Sequence, residues 1–303
     1  MKTEYHIIWV DDELESVMDD MRDVEEFFEK HGIKAHIKTY QAEETANIHT
    51  VIRNDLNNPE LDLIVVDFMM DGMDGRQLIN AIRESGHIFL PVVFYSAAGT
   101  EKLHQEAAKS ALDGVYISSR DRVRRKIEEV ATSLLRKEQT TKRTRGLLME
   151  GVSEIDANFG QLFRRVWAKL NDEQKGDVVK YFKKKVDERA KDTAKASKEF
   201  PTEVGAFREL MEESFVSAGF DTSTRWKIIK KMLELSGHNA DSISVFLRLF
   251  EQTPTALVPL RNNYGHKTRA QLEGDHNQEK CVAIRLELRA QMSNLEKMIK
   301  ESE

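Results

Sequence analysis

Residues 61 to 75, LDLIVVDFMMDGMDG, decide the fold of the first half of the chain. Five of the six residues from Leu61 to Val66 are apolar, and Asp62 is the one interruption. A run without alternation is what a central parallel strand shows when helices cover both of its faces. The strand delivers Asp67 into a loop. Asp71-Gly72 and Asp74-Gly75 are turn and helix-entry signals, and RQLINAIRESG after them spaces Leu78, Ile79 and Ile82 helically. In open α/β sheets chemistry collects at the carboxyl ends of the strands, which is where Asp67 stands.

One aspartate after a strand is ordinary, because acidic residues often cap the next helix. A second apolar strand, however, ends the same way: YHIIWVDDE closes on Asp11 and Asp12. If the two strands are neighbours, three carboxylates crowd one pocket. Like charges at that range raise each other's pKa unless a divalent cation neutralises them, and all-oxygen ligation suits Mg²⁺.

Strand and helix signals alternate five times over residues 4 to 137. Strands fit near 4–10, 33–39, 61–66, 90–95 and 114–118, and helices near 13–31, 43–56, 75–85, 100–112 and 121–137, with Gly32, Gly86 and Gly114 as punctuation. Repeated βα units imply a doubly wound, parallel five-stranded sheet with right-handed crossovers.

These residues resemble the receiver domain of two-component response regulators, a flavodoxin-like fold. The acid pair Asp11-Asp12, Asp67 followed by MMDGMDG, Ser96 in LPVVFYSAAG and Tyr116 in GVYIS fall in family order. The resemblance implies that Asp67 accepts a phosphoryl group from a sensor histidine kinase or phosphotransfer protein. It implies that Asp12, Asp67 and the backbone carbonyl of Met69 hold Mg²⁺, with Asp11 acting through water. Ser96 would bond the phosphoryl oxygens, Tyr116 would be the switch aromatic, and a helix face of the domain would make a homodimer.

Two positions depart from the family. Asp71 stands where a proline is usual, and Ser119 replaces the lysine three residues after the switch aromatic, with Arg120 beside it. Serine offers only a short neutral hydrogen bond, and the planar fork of arginine differs in reach from an ammonium. A receiver fold kept as a dimerisation module is the other reading.

From Arg120 to Arg145 the chain has ten basic and four acidic residues and neither proline nor glycine, which reads as one helix leaving the first domain. Its charges suit a phosphate-binding arm or, more simply, a solvated face. The boundaries that follow are a domain over 1–137, a basic helical linker over 138–151 hinged at Gly146 and Gly151, and an all-α bundle over 152–303. Helical spacing runs over 152–170, 172–199, 204–218, 222–236, 241–252 and 259–272, with starts at Asp221-Thr222, Asp241 and Thr253-Pro254. Phe159, Phe163, Val166, Trp167 and Leu170 form a core stripe. The lysine-rich stretch before Phe200 reads as an exposed helix.

Within the bundle, LRNNYGHK (residues 260 to 267) contains Arg261, Asn262 and His266. With its neighbours it resembles the Arg-polar-x-x-x-His motif of the HEPN superfamily, helical domains many of which are metal-independent ribonucleases acting as dimers. That resemblance implies RNA as a partner and no metal or cofactor at the site. Histidine titrates near neutrality and suits a base for the 2′-hydroxyl, and arginine is a permanent cation with phosphate geometry. On one straight helix Arg261 and His266 lie about 140° apart. Either Gly265 breaks the helix or two chains supply one cleft. A surface arginine with an asparagine cap and a satisfied histidine is the plain alternative, and the function would then be a non-enzymatic, phosphorylation-controlled dimerisation or partner-binding module.

Composition sets bounds on these readings. With 303 residues, 40% hydrophobic and 32% charged, the chain suits about two globular domains. No run is long enough for a membrane helix, the amino terminus lacks the apolar core of a signal peptide, and Cys281 is the single cysteine. A cytoplasmic protein without a membrane partner is expected. Residues 1 to 119 carry 23 acidic and 10 basic side chains, net −13, leaving 29 and 36 of the totals for residues 120 to 303, net +7. A basic rear is compatible with an anionic partner. No helix-turn-helix pair supports a DNA-binding output.

Overall fold

The computed structural model describes residues 2–41, 55, 58–70, 73–74, 90–97, 100–109, 114–190, 203–217, 221–251 and 253–302. The helix expected over 43–56 apart from residue 55, the helix expected over 75–85, the Asp71 position and residues 191–199 of the helix expected over 172–199 lie outside the described residues. The chain divides into two compact units, Met1–Arg143 and Thr144–Glu303.

The first unit contains strands β1 (Glu4–Asp11), β2 (Lys34–Gln41), β3 (Leu61–Asp67), β4 (Val92–Ser96) and β5 (Val115–Ser119). All pair in parallel, in the order β2-β1-β3-β4-β5. That is a doubly wound sheet, and its strands begin and end within about two residues of the spans read from apolar periodicity. Helices α1 (Met18–Lys30), α2 (Thr100–Lys109) and α3 (Val123–Glu138) belong to this unit.

The unbroken apolar runs have a direct cause. Alternate residues of β1 feed two cores: Tyr5, Ile7 and Trp9 pack with Val24, Phe28, Ile127 and Ala131 on one face, while Ile8 and Val10 pack with Ile64, Val66, Phe94 and Leu103 on the other. Each fully buried side chain of this size stabilises the fold by about 1.5–3 kcal/mol. α1 carries Asp19 and Asp20 in its first turn and Lys30 in its last, matching the helix dipole. Gly32 at φ 70 and Gly114 at φ 70 then take a left-handed backbone that other residues resist. Met69–Met70 also pairs antiparallel with Met73–Asp74 just beyond Asp67.

The expected single helix from Arg120 to Arg145 does not form. α3 ends at Glu138, Gln139 leaves helical geometry at φ −86 and ψ 55, and the next helix, α4 (Thr141–Lys169), begins after Thr140. The Thr140 hydroxyl accepts from the Arg143 N–H at 3.3 Å, a capping contact that favours a new start over continuation.

The second unit is helical. After α4 come α5 (Asp172–Ala190), α6 (Val204–Ser217), α7 (Thr222–Ser236), α8 (Ala240–Leu247), α9 (Leu257–His266), the short α10 (Arg269–Glu273) and α11 (Gln278–Glu301). The Asp221 side chain caps α7 by accepting from the Thr224 N–H. Asn239 rather than Asp241 caps α8, and α9 starts at Leu257, three residues past Pro254. The predicted helix over 259–272 is two helices separated at Lys267-Thr268, because the Thr268 side chain and Gln271 form a capping box.

The core stripe is buried as expected: Phe163 stacks on Trp167 with ring centroids 5.5 Å apart, and Trp167 and Phe182 both meet Phe207. The hinge expected at Gly146 and Gly151 is absent, since α4 runs through both. Gly151 instead admits a neighbour. A Cβ there would lie 2.5 Å from Leu288 Cδ2 of α11, so the missing side chain is what lets the two helices close up. Among the described residues no helix is long and apolar enough to cross a membrane.

Candidate functional site

Asp11 closes β1 and Asp67 closes β3, and these strands are hydrogen-bonded neighbours. Strand pairing therefore brings together two carboxylates that lie far apart in the chain. Asp11 is 0% and Asp67 2% exposed, Asp12 is half-buried, and one carboxylate oxygen from each lies within 4.8 Å of the others. The Met69 N–H donates to Asp67 Oδ1 at 3.0 Å, and the Glu13 N–H donates to Asp11 Oδ1 at 2.6 Å.

Three further side chains complete the pocket. The Tyr95 hydroxyl donates to Asp11 Oδ2 and itself accepts from Trp9 Nε1 at 2.9 Å. Arg120 Nη2 lies 3.2 Å from Asp11 Oδ2 and Nη1 lies 3.4 Å from Asp67 Oδ2, and Nη2 also donates to Ser16 Oγ. One guanidinium thus bridges the ends of two strands. Its carbon stands 6.0 Å from the centre of the Tyr95 ring, within cation–π range.

Electrostatics follows from burial. Removal from water pushes the Asp67 carboxyl up to about 6; the Met69 N–H and Arg120 oppose the rise, and Asp11 and Asp12 add to it. Burial first, then the charge of Asp11, drives Tyr95 far above the usual phenol range, which keeps its proton available for donation. The donor set offers only oxygens, which fits a hard divalent cation, but Arg120 already supplies one positive charge between Asp11 and Asp67.

The family model of the response regulator receiver domain matches residues 8–118. The amino-terminal unit is a receiver domain. Such domains are the modules of two-component phosphorelay signalling. Among solved structures, the chain is similar to the receiver domain of the Francisella response regulator 1452, at 24% identity over 38% of this chain and 84% of that one, with a TM-score of 0.27. No curated protein matches the chain.

In this receiver domain Ser96 ends β4, 1% exposed, in register beside Ser119 at the end of β5. Tyr116 lies on β5 at 41% exposure, and Met69 is also exposed. Ser119 brings no charge, and the cation of the pocket comes from Arg120, the residue after it. Tyr95 and Ser16 were not legible as pocket residues. A tyrosine directly after the apolar run VVF was the available signal, since a buried phenol needs a partner.

In the helical unit, α9 is unbroken through Gly265, so one chain keeps Arg261 and His266 about 140° apart around the axis. Leu260 and Tyr264 turn into the core, whereas Asn262 and His266 are exposed. Arg261 is half-buried, with Nη1 3.4 Å from Asn262 Oδ1. Its charge acts on Asp156: burial raises that carboxyl, and the paired Arg225, a Thr222 hydrogen bond and then Arg261 oppose the rise. The histidine that does meet this segment is His276, whose Nδ1 lies 2.9 Å from the Tyr264 hydroxyl.

Proposed function

We propose that this chain is a response regulator in which Asp67 accepts a phosphoryl group from a histidine kinase or phosphotransfer protein and the helical unit is the output. The observation that carries this is the buried Asp67 at a strand end, with Asp11, Asp12 and the Arg120 guanidinium around it. An Asp67 carboxylate oxygen attacks phosphorus, the P–N bond to the donor imidazole breaks, and the bonding pair returns to that nitrogen. The product is an acyl phosphate on Asp67. Mg²⁺, held by Asp12, Asp67 and the Met69 carbonyl with Asp11 acting through water, would neutralise charge on the phosphoryl oxygens. The Met69 N–H and Arg120 favour the ionised carboxylate that the attack needs, and Ser96 supplies a hydroxyl at the neighbouring strand end.

Acetyl phosphate with Mg²⁺ should give one phosphoryl adduct by intact mass, absent from Asp67→Asn. No adduct in the native protein, or an equal one in the variant, removes this reading.

For the output, the resemblance of LRNNYGH to the HEPN motif supports a metal-independent ribonuclease, and the unbroken α9 requires that two copies share its cleft. Pairing through the receiver would then control cleavage. The half-buried position of Arg261 suits the second reading, in which Arg261 stabilises the bundle and the unit binds a protein or RNA without cutting it.

A further inference from the structure

The opposite end of the same sheet carries a second cluster of ligating side chains. β1 and β2 pair with His6 directly across from His36. Residues two apart on a strand share a face, so Glu4 stands on the same side as His6. The two imidazoles stack with centroids 4.7 Å apart and planes 9° from parallel. Both Nε2 atoms lie 3.7 Å from the same oxygen, Glu4 Oε2, and Glu60 Oε2 lies 3.6 Å from His6 Nε2. The ligating atoms of Glu4, His6 and His36 fall within 4.8 Å of one another.

Two observations show that hydrogen bonding does not exhaust this cluster. The contacts to Glu4 are too long for hydrogen bonds, and His36 Nε2 is buried with no hydrogen-bond partner among the described residues. Buried polar atoms are rarely left in that state. The two histidines also have room beside them. His6 and His36 line an open cavity of about 270 Å³, and nearby Lys38 does not oppose a cation with full charge, because its ammonium lies 2.6 Å from Asp55.

We propose that Glu4, His6 and His36, with Glu60 or water as the fourth ligand, form a binding site for a divalent ion of the zinc class that ties β1 to the edge strand β2. Two imidazole nitrogens and a carboxylate are a borderline-soft set, which selects Zn²⁺ over Mg²⁺ and so separates this site chemically from the all-oxygen pocket at Asp67. Distance separates them too: five residues of strand from His6 to Asp11 span about 17 Å. Tetrahedral zinc at about 2.0–2.2 Å from each ligand needs ligand atoms about 3.3–3.6 Å apart, so the glutamate–histidine contacts at 3.6–3.7 Å need little change, while the two imidazole nitrogens, which lie within 4.8 Å of each other, must close by up to about 1.5 Å. A bound ion lies in the plane of each imidazole, so the near-parallel rings must tilt. The χ2 torsion of histidine is broad, and these side chains are 23% and 37% exposed, which leaves them free to do so. The two glutamates balance the charge of the ion.

Zn²⁺ titration of the full chain by calorimetry, with Mg²⁺ saturating throughout, tests the site. One ion should bind per chain. His6→Gln and His36→Gln should each weaken it at least ten-fold, and the double variant should abolish it. Exposed Glu4→Gln, which removes a ligand charge without disturbing the core, should weaken it about ten-fold, and His104→Gln on the exposed side of α2 should leave it unchanged. Co²⁺ should give a visible absorption band that vanishes in the histidine variants. Absence of zinc binding by the native chain, or binding that persists in the folded double variant, overturns the proposal.

Discussion

At the scale of single residues, Arg120 sets the charge balance of the receiver pocket. Three carboxylates within 4.8 Å would repel one another, and a guanidinium spanning Asp11 and Asp67 offsets part of that repulsion. A divalent cation entering the same oxygens meets this positive charge. Arg120→Gln should therefore tighten Mg²⁺ binding about five- to ten-fold, roughly 1 kcal/mol, while lowering the melting temperature in EDTA. Unchanged Mg²⁺ affinity by calorimetry would mean that Arg120 moves aside without cost. Asp67 adds a pH dependence of definite sign. Its carboxyl stands at about 6 in the fold, above its unfolded value, so the native state holds the extra proton and stability falls as pH rises through that range. Asp67→Asn lacks this loss. The variant should melt above the native protein at pH 7 without divalent ions, and its advantage should shrink by about 1 kcal/mol on going to pH 5. An advantage that grows toward pH 5 would contradict the sign.

At the scale of elements, the two glycines of α4 do different things despite sharing one helix. At Gly146 a Cβ would meet nothing within 4 Å, so the cost of this residue is the entropy of a glycine in a helix. Gly146→Ala should stabilise by about 0.5–1 kcal/mol and raise the melting temperature by about 2–4 °C. Gly151 meets Leu288 of α11, and Gly151→Leu should destabilise by about 1–3 kcal/mol through overpacking. Thermal melts of the two variants moving in the same direction would refute this division. The same reasoning explains α9: Leu260 and Tyr264, four residues apart, anchor one stripe in the core and leave Asn262 and His266 outside.

At the scale of the whole molecule, an acidic first 119 residues and a basic remainder suit a phosphoacceptor unit joined to an output that meets an anion. If that output is a ribonuclease whose cleft takes Arg261 from one chain and His266 from another, complementation has a fixed outcome. Arg261→Ala and His266→Ala should each lose RNA cleavage in EDTA, typically by 10²–10⁴-fold for a general base. Mixed in equal amounts, random pairing makes half the dimers mixed, each with one intact cleft of two, so about a quarter of the native rate should return. An active native protein with no recovery on mixing would place the cleft within one chain. A dimeric native protein that binds RNA without cutting it would establish the non-enzymatic reading.

Local pattern alone determined the strands ending at Asp11 and Asp67, the helical second half and the Phe159 to Leu170 stripe, because periodicity and burial act over a few neighbouring residues. The acid pocket was legible too, since parallel strands must deliver their carboxyl ends to one edge. Only the tertiary structure decided what depends on distant partners. Arg120 meets Asp67 from 53 residues away and Asp11 from 109, so its role is set by strand order rather than by its neighbours in the chain. His6 and His36 become a pair only through the register of β1 and β2, and Gly151 becomes a contact point only when α11 packs on α4. In each case the deciding interaction is between side chains that approach only after the chain has folded, which no local spacing records.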